Sequence, residues 1–270
     1  MTATVTYETQ PSALQPIRWT STLGVARYEY LMQVRRPAIW VVSVLLILAA
    51  AKGPGRLSAH VSLSDLTASW AVTFNLFAPL GVGVLLADRA RRESRLGLDD
   101  LLWSTPAGLG PRWWGKAVGA SAATITPIFL CWIVLLIDLA TSRGLGAIPI
   151  GLGAFAAVAL PGLLFVASCS LVIPLLIGPA LYRVGFIGYW FWGNLLNTKR
   201  LPVPTVAGTP FEAIGEYASG GWFGGKTFEA PNRGIHLDPA LATVNVAFLI
   251  GAALAVLAVA HIVLTRRHQP

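Results

Sequence analysis

Apolar runs recur along this chain, separated by polar connections, and six of them are candidates for membrane crossings: 37–51, 68–87, 113–140, 149–178, 184–196 and 241–264. Near-continuous apolar runs of this kind predict helices, because a helix satisfies its own backbone in lipid. The expected class is therefore all-α and membrane-embedded, a tail at 1–22 followed by one six-span domain over 23–270. The runs are uneven. At ~1.5 Å per residue the first covers only ~22 Å of a hydrocarbon core ~30 Å thick. The fourth is long for one upright helix, and Pro161, Gly162 and Pro174 offer kinks within it.

Two connecting pieces carry a different pattern. Leu23 to Arg36, LGVARYEYLMQVRR, aligns Leu23, Ala26, Tyr30, Leu31 and Val34 along one side of a helix. Glu29, Gln33 and Arg36 fall away from that side, which predicts an amphipathic helix lying in the membrane interface. Within the loop 88–112, the piece GLDDLLWSTPAG puts Leu98, Leu101 and Leu102 on one helical face, with Asp99 and Asp100 opposite and Trp103 following. The acids sit near the N-terminus, where the helix dipole favours them, and Pro106 and Gly108 end the turn. So short a helix cannot bury its leucines alone, and a partner surface is implied.

Composition sharpens the class. Hydrophobic residues make up 55% of the 270 and charged residues only 12%, about half the charge of a typical soluble domain, and the mean hydropathy is +0.65. The net charge of +8 is read as topology, not as a nucleic-acid surface. Of the 20 basic residues, the larger share falls on the side holding both termini, densest at Arg89, Arg91, Arg92 and Arg95. That bias predicts cytoplasmic termini in a cell membrane. Residues 1–22 show no apolar stretch or small-residue cleavage motif of a secretory signal. Cys131 and Cys169 lie inside apolar runs and read as small buried side chains, so neither a metal nor a disulfide is expected.

One motif points elsewhere. Gly220 to Thr227, GGWFGGKT, satisfies the spacing of a phosphate-binding loop. Such a loop works between a strand and a helix N-terminus, where backbone amides converge on phosphate. Here it lies in the connection 197–240, preceded by FEAIGEYAS, which reads as a short amphipathic helix, and followed by Pro231 and Gly234. GPRWWGKA at Gly110 to Ala117 is a near miss without the hydroxyl residue. The expectation is that this chain holds no nucleotide, cofactor or catalytic site of its own.

RYEYLMQVRRPAIWVV at the first run, with ADRARRESRLGLDDLLWSTPAGLGPRWWGKAVG between runs two and three, resembles the permease subunits of type-2 ATP-binding-cassette exporters. The resemblance covers the six-span layout, and its sharp part is these two segments. It implies an N-terminal elbow helix, a cytoplasmic coupling helix formed by Leu98, Asp99, Asp100, Leu101, Leu102 and Trp103, and a second permease half, identical or homologous. It further implies two separate ATPase subunits that carry the ATP and magnesium. In that family spans two and five line the path, and the connection between spans five and six forms an external cap that can dip into the outer leaflet. The long connection 197–240 departs from the shortest members.

On that reading the candidate path residues are Phe74, Asn75 and Phe77 on the second run and Tyr189, Trp190 and Asn194 on the fifth. The other polar groups noted within the runs are Thr73, Thr124, Thr126 and Asp138, few for an ion pump, so a hydrophobic or amphipathic cargo fits better. The four histidines are scattered, against an intramembrane enzyme. The alternative is a non-transporting anchor or sensor subunit.

Overall fold

A computed structural model describes residues 19–51, 61–89, 92, 108–194, 196, 203–225 and 238–267. Among the described residues the regular structure is helical throughout. In chain order the helices are α1 (Trp19–Val34), α2 (Pro37–Ala51), α3 (Leu63–Leu86) and α4 (Leu109–Arg143). There follow α5 (Ala147–Ile177), α6 (Pro179–Asn194), α7 (Glu216–Phe223) and α8 (Pro239–Arg267). Four of these, α3, α4, α5 and the apolar length of α8, are long and apolar enough to cross a membrane. The protein is therefore membrane-embedded in character. α2 and α6 have 15 and 16 residues, which at ~1.5 Å each extend only ~22–24 Å.

The helix ends follow local chemistry. Ser62 caps α3, its Oγ accepting from the Asp65 amide at 3.1 Å, and Asp65 suits the positive end of the dipole. α3 thus begins earlier than the apolar run at Ala68, because its first turn is polar but well capped. α5 stays one helix through Pro161 and Pro174. A π turn at Phe155–Ala159 takes up the irregularity before the first proline. At its end Gly178, with φ +88°, donates its N–H to Pro174 O at 3.0 Å. Pro179 starts α6 directly, so one residue joins the two helices and α6 begins ahead of the expected Val184.

α3 is the centre, packing on α2, α5, α6 and α7. Trp132, Trp190 and Phe74 are its largest buried neighbours or members. Phe74 meets Trp132 edge-on at 5.2 Å. Each buried indole N–H that bonds does so to a helix carbonyl: Trp132 to Gly151 at 3.1 Å, Trp190 to Leu76 at 2.8 Å, Trp113 to Leu257 at 3.0 Å. Such bonds cross-tie helices that lipid alone would not hold together.

α1 is helical where a helix was expected, and its buried side is largely polar. Its buried residues are Thr22, Ala26, Glu29 and Gln33, whereas Leu23, Tyr28 and Leu31 are exposed. Glu29 and Gln33 face protein together with Ala26 of the apolar stripe, while Leu23 and Leu31 face outward. The seat is the GKAVG turn of α4. A Cβ at Gly115 would stand 2.7 Å from Thr22 O, and one at Gly119 would stand 2.3 Å from Ala26 O. Two glycines four apart let the backbones touch, and α1 lies along the first turns of α4, running the same way.

Candidate functional site

Two polar nodes organise the molecule, one just past the end of α3 and one at its middle. The first lies where α3 ends. Arg89, 3% exposed, donates from Nε to Glu29 Oε2 of α1 at 2.8 Å and closes the ion pair through Nη2. Its neighbour Asp88 pairs with Arg183 of α6, whose Nε also reaches Val84 O at 3.3 Å. Adjacent residues of opposite charge therefore bind the root of the 88–112 loop to helices on two sides. Arg36, between α1 and α2, feels the same node. Burial and then the charges of Arg89 and Arg92 lower its pKa, against the pull of Asp88 and Glu29.

The second node is built by residues 206–216, which do not lie across the bundle but enter it. Glu212, Ala213 and Ile214 are fully buried. Asn75 Nδ2 donates to Val158 O at 2.8 Å and to Ala213 O at 3.3 Å. Asn75 is twelve residues from the start of α3, so this non-helical backbone sits ~18 Å down that helix. Backbone of this kind at membrane depth requires protein on every side. α5 supplies a close wall: a Cβ at Gly162 would stand 2.3 Å from Ala213 O. The π turn brings Val158 O within reach of Asn75 and so close to Gly215 that a Cβ there would stand 2.8 Å away. Gly215, at φ +80°, is needed on both counts.

The segment's own polar groups are answered one by one. Asn245 of α8 donates to Pro210 O at 2.8 Å and Glu212 O at 2.9 Å. Asn194 Oδ1, at the last residue of α6, accepts the Ala213 amide at 3.3 Å. The Glu212 carboxylate accepts from Gly208 N at 2.9 Å and Glu216 N at 3.2 Å, the second bond capping α7. Tyr217 donates its hydroxyl to Gly208 O at 2.9 Å. Burial, then Glu212 and Glu216, raise the pKa of that phenol, which keeps the donor protonated.

The candidate path residues divide. Asn75 and Asn194 belong to this second node, and Trp190 and Phe74 are core. Phe77 and Tyr189 lie outward, with Trp40, Val44, Val184 and Trp192 on the faces of α2, α3 and α6. They form an exposed apolar surface rather than a channel through one copy. Glu212 and Asn245 escaped sequence reasoning. Asn245 was legible as a polar residue inside the sixth run, but Glu212 read as part of a surface helix. Leu98 to Trp103 lie outside the described residues, as do Lys226 and Thr227 of the phosphate-loop match. The rest of that match is described. Gly220 to Phe223 close α7, and Gly224 caps its C-terminus at φ +66°. Carbonyls, not amides, converge there, so the described part of the motif presents the wrong end of a helix to a phosphate.

Cys131 and Cys169 are free thiols, and among the described residues no group of His, Cys, Asp or Glu is placed to hold a metal. Comparison of the chain with protein-family models and with curated proteins finds no match.

Proposed function

We propose that this chain is the permease subunit of an exporter driven by separate ATPase subunits, moving a hydrophobic or amphipathic substrate across a cell membrane. The observation that carries this reading is the doubly clamped root of the 88–112 loop. A loop that receives force from a soluble motor must hand it to helices, and Asp88 and Arg89 grip α6 and α1 at the point where the loop leaves α3. On this reading α2 and α6 complete six crossings, the second node filling the space that the short α6 leaves. α1 serves as the elbow, Leu98 to Trp103 dock on the motor, and both termini are cytoplasmic. The exposed faces of α2, α3 and α6 meet a second half, so that Phe77 and Tyr189 line a path shared by two copies. ATP and magnesium belong to the partner.

The test is the purified complex of this chain with an ATPase partner. Leu101→Asp puts an unpaired charge into the docking face and is expected to abolish stimulation of ATP hydrolysis while the chain still folds. Undiminished stimulation and assembly in that variant refute the docking role, and an anchor or sensor subunit then becomes the better reading.

A further inference from the structure

On the flank away from both nodes, α4, α5 and α8 part to leave an apolar groove of about 740 Å³. Trp114 and Phe129 of α4 mark its ends, and Ala122, Ala156 and Ala253, one from each helix, keep it open. Thr126 is one of its few polar side chains, and its hydroxyl is turned back onto Ala122 O at 2.7 Å. All three walls are helices apolar and long enough to cross a membrane, so the open side of the groove meets hydrocarbon. We propose that this groove is a specific phospholipid site, holding one acyl chain along α4 with an anionic headgroup at the Trp114 end.

Dimensions suit the occupant. Trp114 to Phe129 spans ~22 Å of helix, and a groove of about 740 Å³ along that length admits a single hydrocarbon chain. The length exceeds half of a ~30 Å hydrocarbon core, enough for the chain of one leaflet. Charge chooses the headgroup. At the Trp114 end α4 carries Arg112 and α8 carries Arg266, while the only carboxylates of these two helices and their caps, Asp138 and Asp238, lie at the far end. Beyond that end His261 packs over Gly110, its ring 6.4 Å from that of Trp114.

The experiment is native mass spectrometry of the purified full chain titrated with phosphatidylglycerol or phosphatidylcholine. One phosphatidylglycerol should survive activation that strips the others, and phosphatidylcholine should bind about ten-fold more weakly or worse. Ala122→Phe with Ala253→Phe should abolish the retained lipid, and the milder Ala253→Leu should weaken it, each with an unfolding transition like the parent's. Arg112→Ala with Arg266→Ala should remove the headgroup preference and leave a weakly held lipid. Retention unchanged in the folded groove-filling variants overturns the proposal. So does an intermolecular disulfide between Val118→Cys and Leu254→Cys in a background lacking Cys131 and Cys169, because protein would then cover the groove.

Discussion

The pair Glu29–Arg89 offers the sharpest perturbation, because its two members lie 60 residues apart and are almost wholly removed from solvent, at 5% and 2% side-chain exposure. Two ions in such a place attract strongly but have surrendered their hydration, so the pair as a whole need not stabilise the fold. Removing one member is another matter. Arg89→Met leaves a carboxylate buried against α4, and Glu29→Gln leaves a guanidinium whose Nη1 already lacks a partner. Each single change is expected to cost about 3–5 kcal/mol. Glu29→Met with Arg89→Met removes both charges and keeps the volume, and should fall within about 2 kcal/mol of the parent or exceed it.

Thermal unfolding of the detergent-solubilised full chain measures the four corners of this cycle, and partner ATPase stimulation supplies a second readout. If the pair is a tether that passes force from the loop root to α1, the double variant should be stable yet poorly coupled. Additive losses, with the double variant as unstable as the two singles combined, refute the idea that the buried charges are each other's main compensation. Full stability together with full coupling in the double variant refutes the tether.

Other substitutions test separate joints. Gly119→Leu should unseat α1 and lower stability by about 1–3 kcal/mol, whereas Gly24→Ala, with nothing within 4 Å of its Cβ, should be neutral in the same thermal melt. Asn75→Leu removes its bonds to Ala213 O and Ile214 O, and Asn245→Leu those to Pro210 O and Glu212 O, so amide hydrogen exchange over 208–216 should accelerate at least ten-fold while α4 keeps its protection. Lys226→Ala should leave ATP hydrolysis by the assembled complex unchanged, and a cysteine at 226 should react with a membrane-impermeant reagent in intact cells; reaction only after permeabilisation would invert the topology.

The helices were largely legible in the sequence because lipid-compatible helices announce themselves by apolar length. What was not legible were places where polar residues do the packing. The run 68–87 missed five residues of α3, because Ser62, Ser64 and Asp65 are polar yet form a capped first turn. The connection 197–240 read as an external cap able to dip into the outer leaflet, but nothing in it named its anchors, since Glu212 and Glu216 look like surface acids until Asn75, Asn194 and Asn245 on three helices are seen to grip the same segment. No local pattern links residues 75, 194, 213 and 245. Only the three-dimensional arrangement does, and it brings Asn75 and Asn194, named as path residues for their place on the second and fifth runs, onto the inserted segment.

α1 shows why this failure is systematic. In water, an apolar stripe is the buried face and charges point away; the interfacial reading kept Leu23 and Leu31 on the membrane side and gave Glu29 and Gln33 no partner. Beside a bilayer both faces meet something other than bulk water. Leucine gains little by leaving hydrocarbon for protein, whereas glutamate gains a partner only on the protein side. The face that must be buried is therefore the one with unmet polar groups, and Glu29 takes it because Arg89 is there to receive it. The same reasoning marks Gln33 as anomalous. It is fully buried with neither amide atom bonded, so its position answers to the course of α1 across Gly115 and Gly119 rather than to any partner of its own.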